Sequence, residues 1–567
     1  MRRAVVALLI GTLGLMPLGS AGEAQPTAPS NAAFIANLRA HVKHVFVVYQ
    51  ENRSFDSYFG TFPGAENLAS PLAQTHGYHQ FDPLSGTTVT PFRITDPDVA
   101  DADHSREGLI EKYDGGKMDH FISAEESGQF AKGATAENAH AVGLLTMAYE
   151  DCDTIPFLWK YAHTFALYDH IFQGMFGPST PGNLDLIAAQ TGQTQGYRHP
   201  DERTDRLAFE GEGSNPHVGE PVINDLYPAF APWHNGQPEY RQLDQTYANV
   251  LLTLSGKDSA KITADNDDIK DDISLLTHAG KAAVPWGWYQ EGFNDDGTGL
   301  YPAYITHHNA PQYFGYIRKN PSQWNGEHDL TELFPAIEKG QLSDRSVVFV
   351  KGGYKNPFGW KPANADIAEQ FWGDDDHPAY SDSQLSESLV AKVVNAVAKS
   401  KYWKDSAIIV IWDDSEGFYD HVPPPQYEKC PDKEACGDGP RVPMILISPY
   451  AKSGAIIKDS GDHASFVKFM NTLYGLPALA SLPDEKPGLP EGPRDLMSSI
   501  TDLTGGFDPE RLAGRRAPIP ASAAIIPEAV VDHFPAAMSC KSLGITPVTL
   551  PGAPAKPPAG FMPRKAE

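Results

Sequence analysis

Four short runs of nearly unbroken apolar residues constrain this chain most: VFVVY at 45–49, VVFV at 347–350, AIIVIW at 407–412 and VPMILI at 442–447. A strand with one solvated face alternates apolar and polar positions. A strand that is apolar at every position needs cover on both faces, as in a parallel sheet enclosed by helices. Helical stretches at 386–398 and 464–474 supply candidates for that cover. Alternating strands and helices imply an α/β layered domain with a central, mainly parallel sheet. Ligands of open α/β sheets bind just beyond the carboxyl ends of the strands, so the residues that leave each run come first.

The first run exits into Glu51-Asn52-Arg53-Ser54-Phe55-Asp56, and the third into Asp413-Asp414-Ser415-Glu416-Gly417-Phe418-Tyr419-Asp420-His421-Val422-Pro423-Pro424-Pro425. Asp and Asn also cap helices and make turns, so either exit alone has an ordinary explanation. Together they bring oxygen-bearing side chains to one sheet edge. Glu51, Asn52, Asp413 and Asp414 form a donor set suited to a hard divalent cation. A third segment, Gly174-Met175-Phe176-Gly177-Pro178-Ser179-Thr180-Pro181-Gly182-Asn183, is a stiff turn able to hold a hydroxyl in place.

The chain has 567 residues, 41% of them hydrophobic, enough for a large core. The body runs from about residue 33 to 517. A C-terminal segment, 518–567, ends in a Pro/Ala-rich stretch (547–563) that reads as extended and mobile. A formal charge of −27 argues against nucleic acid and anionic membrane as bulk electrostatic partners, so an anionic substrate needs a local positive site. Residues 1–24 have the layout of a signal peptide, which implies a secreted or periplasmic protein; whether Sec or twin-arginine export applies is open. No other stretch is long and apolar enough to make an integral membrane segment in the mature chain. Export permits disulfides among Cys152, Cys430, Cys436 and Cys540. Cys430 with Cys436 and Cys152 with Cys540 is a natural pairing, but three connectivities are possible. The acidic stretch 265–272 superficially suggests a calcium loop; it lacks the required Gly and terminal Glu and reads as a solvated helix start.

The Glu-Asn-Arg-Ser-Phe-Asp exit, the Gly-Pro-Ser-Thr-Pro turn and the Asp-Asp-x-x-Gly-Phe-Tyr-Asp-His-Val-Pro-Pro-Pro segment occur in an order that resembles one family. It comprises the bacterial phospholipases C and related periplasmic acid phosphatases, branches of the alkaline phosphatase superfamily. Lesser matches are Gly116-Lys117-Met118-Asp119, His307-His308, Asp376-His377-Pro378 and Asp462-His463-Ala464-Ser465. The resemblance spans roughly residues 45–476 and implies an alkaline-phosphatase-like layered α/β/α fold. It further implies one divalent metal ion (Ca, Mg or Zn) held by Glu51, Asn52, Ser179, Asp413 and Asp414. Ser179 is then the nucleophile, with His120, His308 and His377 as catalytic and substrate-binding histidines and Asn52 also touching substrate. His421 and His463 fall in family motifs and have either a functional or a structural role.

The implied activity is hydrolysis of a small phosphate ester or a phospholipid by a metal-bound serine. Phosphoryl transfer asks mainly for positioning and neutralisation of charge, which a cation and imidazolium groups supply. Cationic histidines would favour mildly acidic pH. The turn reads Pro181-Gly182-Asn183 where many phospholipases have Pro-Asn-Arg, and no extra C-terminal β-domains are evident. Both departures lean toward the phosphatase branch. The alternatives are a phospholipase C cleaving phosphodiesters and a catalytically silent, metal-stabilised binding protein. Natural substrate, metal identity and oligomeric state are not legible.

Overall fold

A computed structural model of the chain describes residues 31–194, 222–225, 228, 245–263, 267–294, 303–364, 370–429, 435–485, 492–532 and 538–564. The signal-like segment 1–24, Cys430, Asp265 and Asn266 lie outside these residues.

Eight strands form one sheet: β1 (His44–Gln50), β2 (Ala166–Tyr168), β3 (Trp286–Gln290), β4 (Glu327–Asp329), β5 (Ser346–Lys351), β6 (Ser406–Trp412), β7 (Met444–Ile447) and β8 (Ala455–Ile457). Their order is β8-β2-β7-β6-β1-β5-β3-β4. The central β1 pairs in parallel with β5 and β6, and β3 and β4 extend the parallel half. All residues of β1, β5, β6 and β7 are buried, as their composition requires. The run at 442–447 does contain a strand, but β7 runs antiparallel to both β6 and β2. Parallel neighbours need a long crossover, commonly a helix. Among the described residues between β6 and β7 there is no helix, and the chain returns in the opposite sense.

Helices cover both faces. Helix α4 (Ser383–Ala398) follows α1 (Asn31–His41), α2 (Pro156–Thr164) and α3 (Ser179–Ala188), and α5 (Ala464–Tyr474) comes last. The Gln50 side chain donates to the Ser386 carbonyl at 3.1 Å, which places α4 on its face of the sheet. Phe349, the register partner of Val47, lies on the opposite face and meets Phe466 of α5 with ring centroids 5.5 Å apart. The result is an α/β/α sandwich. Among the described residues, no helix is long and apolar enough to cross a membrane.

The Pro/Ala-rich end has no helix or strand among its described residues, and it does not hang free. The Val548 N–H donates to the Thr61 carbonyl (2.8 Å), Tyr78 Oη to the Pro551 carbonyl (2.7 Å) and the Ala100 N–H to the Pro563 carbonyl (2.7 Å). Phe561 packs edge-on against Phe92 at 5.0 Å, and Arg564 pairs with Asp98. Proline removes its own N–H but keeps an acceptor carbonyl, and its fixed φ lowers the entropy lost on ordering. A proline-rich segment can therefore serve as a strap when the body presents donors to it.

Cys152 and Cys540 form a disulfide, closing 388 residues of sequence. Cys436 is also disulfide-bonded. Replacing both Cys152 and Cys540 by Ser is expected to cost about 2–5 kcal/mol, since the bond restricts a long loop of the unfolded chain. Urea denaturation of variant and parent checks this, and an unchanged midpoint would contradict it.

Candidate active site

The site grows from the adjacency of β1 and β6. Gln50 and Trp412 are register partners, so Glu51 and Asp413 leave the sheet side by side. Asn52 then takes a left-handed backbone (φ 59°), which Asn tolerates better than most residues. The turn lets the Asn52 N–H donate to Asp413 Oδ1 at 2.8 Å, while the Asp414 N–H donates to the same oxygen at 2.7 Å. The Arg53 N–H closes on the Asp414 carbonyl at 3.0 Å. The two exits are thus stitched together.

Ser179 is the first residue of α3. Its hydroxyl donates to Glu51 Oε2 at 2.8 Å, and Asp414 Oδ2 stands 3.5 Å from the same oxygen. A helix N-terminus favours negative charge, either on that oxygen or on a phosphate beside it. Gly182, one turn along, makes this approach possible: a Cβ there would lie 2.7 Å from the Asp413 carbonyl oxygen. The Thr180 hydroxyl turns away, 3.3 Å from Tyr313 Oη. His463 fixes the loop that leads to Ser179 from behind. Its Nδ1 accepts from the Gly174 N–H (3.2 Å), so Nε2–H donates to the Trp412 carbonyl (2.8 Å). That role is structural.

His308 is fully buried between two carboxylates, with Nε2 3.2 Å from Glu51 Oε2 and Nδ1 3.6 Å from Asp375 Oδ2. His377 stacks on Tyr380 (4.5 Å, 22°) and lies edge-on to His104 at 5.7 Å. Burial, reinforced by His104, pushes His377 below its ordinary range against the pull of Asp101. That direction does not favour the partly cationic His377 expected from the sequence. His120 departs further: it is half exposed on the N-terminal cap of the helix at 121–131, its Nε2 3.7 Å from Asp114, and is not brought to this cluster. The imidazole of this cluster pushed above its ordinary range is His104. Burial opposes its charge, but Asp414 and Asp101 override that and hold it at about 9.

Several residues were missed from the sequence. Lys351, the last residue of β5, pairs with Glu51, and burial lowers its ammonium to about 8. Asp375 receives the Glu51 N–H on its backbone carbonyl at 2.8 Å. Glu416 accepts from Asn52 Nδ2 at 2.6 Å and lies 3.4 Å from His104. Lys351 and Asp375 each adjoin a segment already singled out, and Glu416 lies inside one, so position alone could have flagged them. His104 sits in a loop far from any strand exit and carries no such signal.

The donor chemistry suits a hard cation. With Asn52 Nδ2 committed to Glu416, the amide presents Oδ1, which is buried without a hydrogen-bond partner. Asp413 Oδ2 is likewise unpartnered. Burial opposes charge on Asp413, yet Lys351 and His308 hold its carboxyl below the ordinary range, whereas burial and Asp413 itself push Asp414 well up. Unpartnered buried oxygens of this kind are costly unless something binds them.

His421 belongs to a buried strut. Arg441 donates to Asp420 Oδ1 (2.8 Å), Asp56 Oδ1 (3.1 Å) and the carbonyls of Asp169 and Glu66 (2.8 and 3.0 Å), while His421 Nδ1 meets Asp56 Oδ2 at 2.6 Å. His421 Nε2 lies 3.3 Å from Glu66 Oε1, and that contact leads the causes that lower Glu66 to about 2. A depressed carboxyl stabilises the fold above its unfolded pKa of about 4.3, and this contribution fades as pH falls through about 2. Glu66→Gln should cost about 1 kcal/mol at pH 7, after discounting for partial exposure. The difference should close near pH 2; an equal deficit at both pH values in denaturation curves would contradict it.

A hydroxyl at a helix N-terminus, faced by hard-cation donors and by imidazoles, is the equipment of a hydrolase of phosphoric ester bonds. Residues 42–477 match the family model of the Phosphoesterase family, and the chain belongs to that family. Its relatives include a non-hemolytic phospholipase C of Burkholderia pseudomallei, 24% identical over 83% of this chain and 61% of that enzyme. Phospholipase C A of Mycobacterium tuberculosis is 24% identical over 77% of this chain and 73% of its own length. A solved structure of an alkaline phosphatase superfamily protein from Vibrio parahaemolyticus aligns at TM-score 0.28 and 9% identity, over 79% of this chain and 76% of that one.

Proposed function

We propose that this protein hydrolyses phosphoric esters through Ser179, in the manner of an acid phosphatase, with a phosphomonoester as the favoured substrate class. The supporting observation is the Ser179 hydroxyl, 2.8 Å from Glu51 Oε2 at the N-terminus of a buried helix. Glu51, Asn52, Asp413, Asp414 and Ser179 would hold one divalent metal ion, which supplies Lewis acidity toward a phosphoryl oxygen and lowers the pKa of a bound hydroxyl.

The chain's own residues do the rest. The Ser179 proton leaves toward Glu51 Oε2, with His308 Nε2 3.2 Å beyond to share it. Ser179 Oγ bonds to phosphorus as the ester P–O bond breaks, and the leaving oxygen takes a proton from His104. Water then attacks the phosphoserine and returns a proton to His104, while the proton held at Glu51 goes back to the leaving Ser179 Oγ, so phosphate is freed and every group is restored. Cationic His104 counters charge on the phosphoryl oxygens, and Asn52 would contact them only through the Nδ2 hydrogen that Glu416 does not take.

A second reading, phospholipase C cleavage of a phosphodiester, is favoured by the names of the relatives. Against it stand Gly182 and Asn183, where the phospholipase pattern has Asn and Arg. Gly182 lies against Asp413, and the Asn183 amide donates to the Ser179 carbonyl at 2.8 Å. Purified protein assayed against an aryl phosphate monoester, a choline phosphodiester and phosphatidylcholine micelles separates the readings. The monoester should have the highest kcat/KM. Preference for phosphatidylcholine would move the assignment to the phospholipases, and inactivity on all three would favour the silent binder.

A further inference from the structure

We propose a second divalent-cation site, formed by Asp82, Glu126 and His140, that binds zinc and fastens the C-terminal strap. Asp82 ends the hairpin strand Gln80–Asp82, Glu126 lies on the helix Phe121–Ala131, and His140 on the helix Ala136–Leu145. One ligand atom from each lies within 4.8 Å of the others, and His140 Nε2 is 2.9 Å from Asp82 Oδ2.

Glu126 supplies an independent observation. It is 2% exposed, and neither of its carboxylate oxygens meets a donor at hydrogen-bond geometry, the polar groups facing them being the Asp82 carboxylate and the Leu84 N–H. Room for it has been made: a Cβ on Gly143 would lie 2.7 Å from Glu126 Cγ. His140 and Gly143 are three residues apart and so share one helix face, the face turned to Glu126. Burying an unpartnered carboxylate beside another is costly unless a proton or a cation intervenes. Two carboxylates and one imidazole, with a position left for water, suit zinc, whereas calcium prefers six to eight oxygens.

The site also touches the strap. Gly560, with φ +91°, lies so close to His140 that a Cβ there would stand 2.7 Å from both Cε1 and Nδ1. Binding at Nε2 would fix the imidazole against which the strap packs. None of these residues belongs to the candidate active site, and the inference stands whatever that site hydrolyses.

The test uses the full chain stripped with a chelator, dialysed against zinc, and analysed for zinc content. Glu126→Gln and His140→Ala proteins are treated in parallel, so the active site is common to all three. The parent should hold one more zinc per chain than either variant. Proteolytic cleavage within 547–564 should slow in the parent alone, by up to about 100-fold when free zinc is about 100 times its dissociation constant. Equal zinc content in all three proteins overturns the site. Extra zinc without protection overturns the clamp, and uptake of calcium but not zinc overturns the metal assignment. A Glu126→Gln protein that melts above the parent, with no zinc effect in either, would indicate a proton shared between the carboxylates.

Discussion

Ser179→Ala is expected to lower phosphoester turnover by about 10⁴–10⁶, the scale seen when a covalent nucleophile is removed from other hydrolases. Fold and thermal midpoint should change little, because the lost atom's partners, Glu51 and Asp414, keep Lys351 and the backbone of Glu416. Thr180→Ala should be mild, since that hydroxyl faces Tyr313 rather than the carboxylates. Ser179→Thr should retain partial activity, as a secondary hydroxyl can still be coordinated. Rates measured side by side at saturating substrate check all three. A near-normal rate for Ser179→Ala with a dead Thr180→Ala would shift the nucleophile by one residue; normal rates for both would imply direct attack by water.

Arg441→Ala carries the largest expected loss of stability, about 3–5 kcal/mol, because it leaves buried carboxylates without their cation. Asp56 and Asp420 lose their guanidinium together, and the carbonyls of Glu66 and Asp169 lose their donors. Native proteins are stable by only about 5–15 kcal/mol, so such a loss approaches the whole margin. It should also disturb activity, since the guanidinium joins the exits of β1 and β6 by bridging Asp56 and Asp420. Urea denaturation gives the first effect and kcat/KM the second. A stability change below about 1 kcal/mol, typical of an exposed ion pair, would show that the strut is replaceable.

Much of the fold was legible because a run such as AIIVIW has no polar position to offer water, which forces cover on both faces wherever it sits. The direction of a strand is another matter. VPMILI is equally apolar read either way, and β7 is reversed because the described chain between β6 and β7 contains no crossover helix. The strap escaped notice for a related reason: proline content signals extension, while the donors of Ala100, Tyr78 and Val548 that hold it belong to the tertiary structure.

The candidate site divides the same way. Glu51, Asn52, Asp413 and Asp414 follow apolar strands directly, so local pattern singled them out; the stiff turn drew notice to its segment, the resemblance to Ser179 within it, and the structure brings the five together. The histidines do not leave strands. His120 stood beside a matched motif, Gly116-Lys117-Met118-Asp119, yet faces outward. His104 stood beside none, yet reaches Glu416 and through it Asn52. Its charge depends on Asp414, some 310 residues away in sequence, and on Asp101. No window along the chain contains that relation. The mildly acidic optimum expected from cationic His120, His308 and His377 draws no support from His377, which burial lowers, whereas His104 is held at about 9.

The central claim is that Ser179 carries the phosphoryl group, and trapping the enzyme during turnover tests it most directly. Protein mixed with saturating aryl phosphate is quenched in acid within the steady state, digested and analysed by mass spectrometry. The account predicts one phosphorylated residue, Ser179, in the parent and no such peptide in Ser179→Ala. Phosphate on Thr180 or on a histidine, or full turnover with no phosphorylated peptide at any quench time, would contradict it.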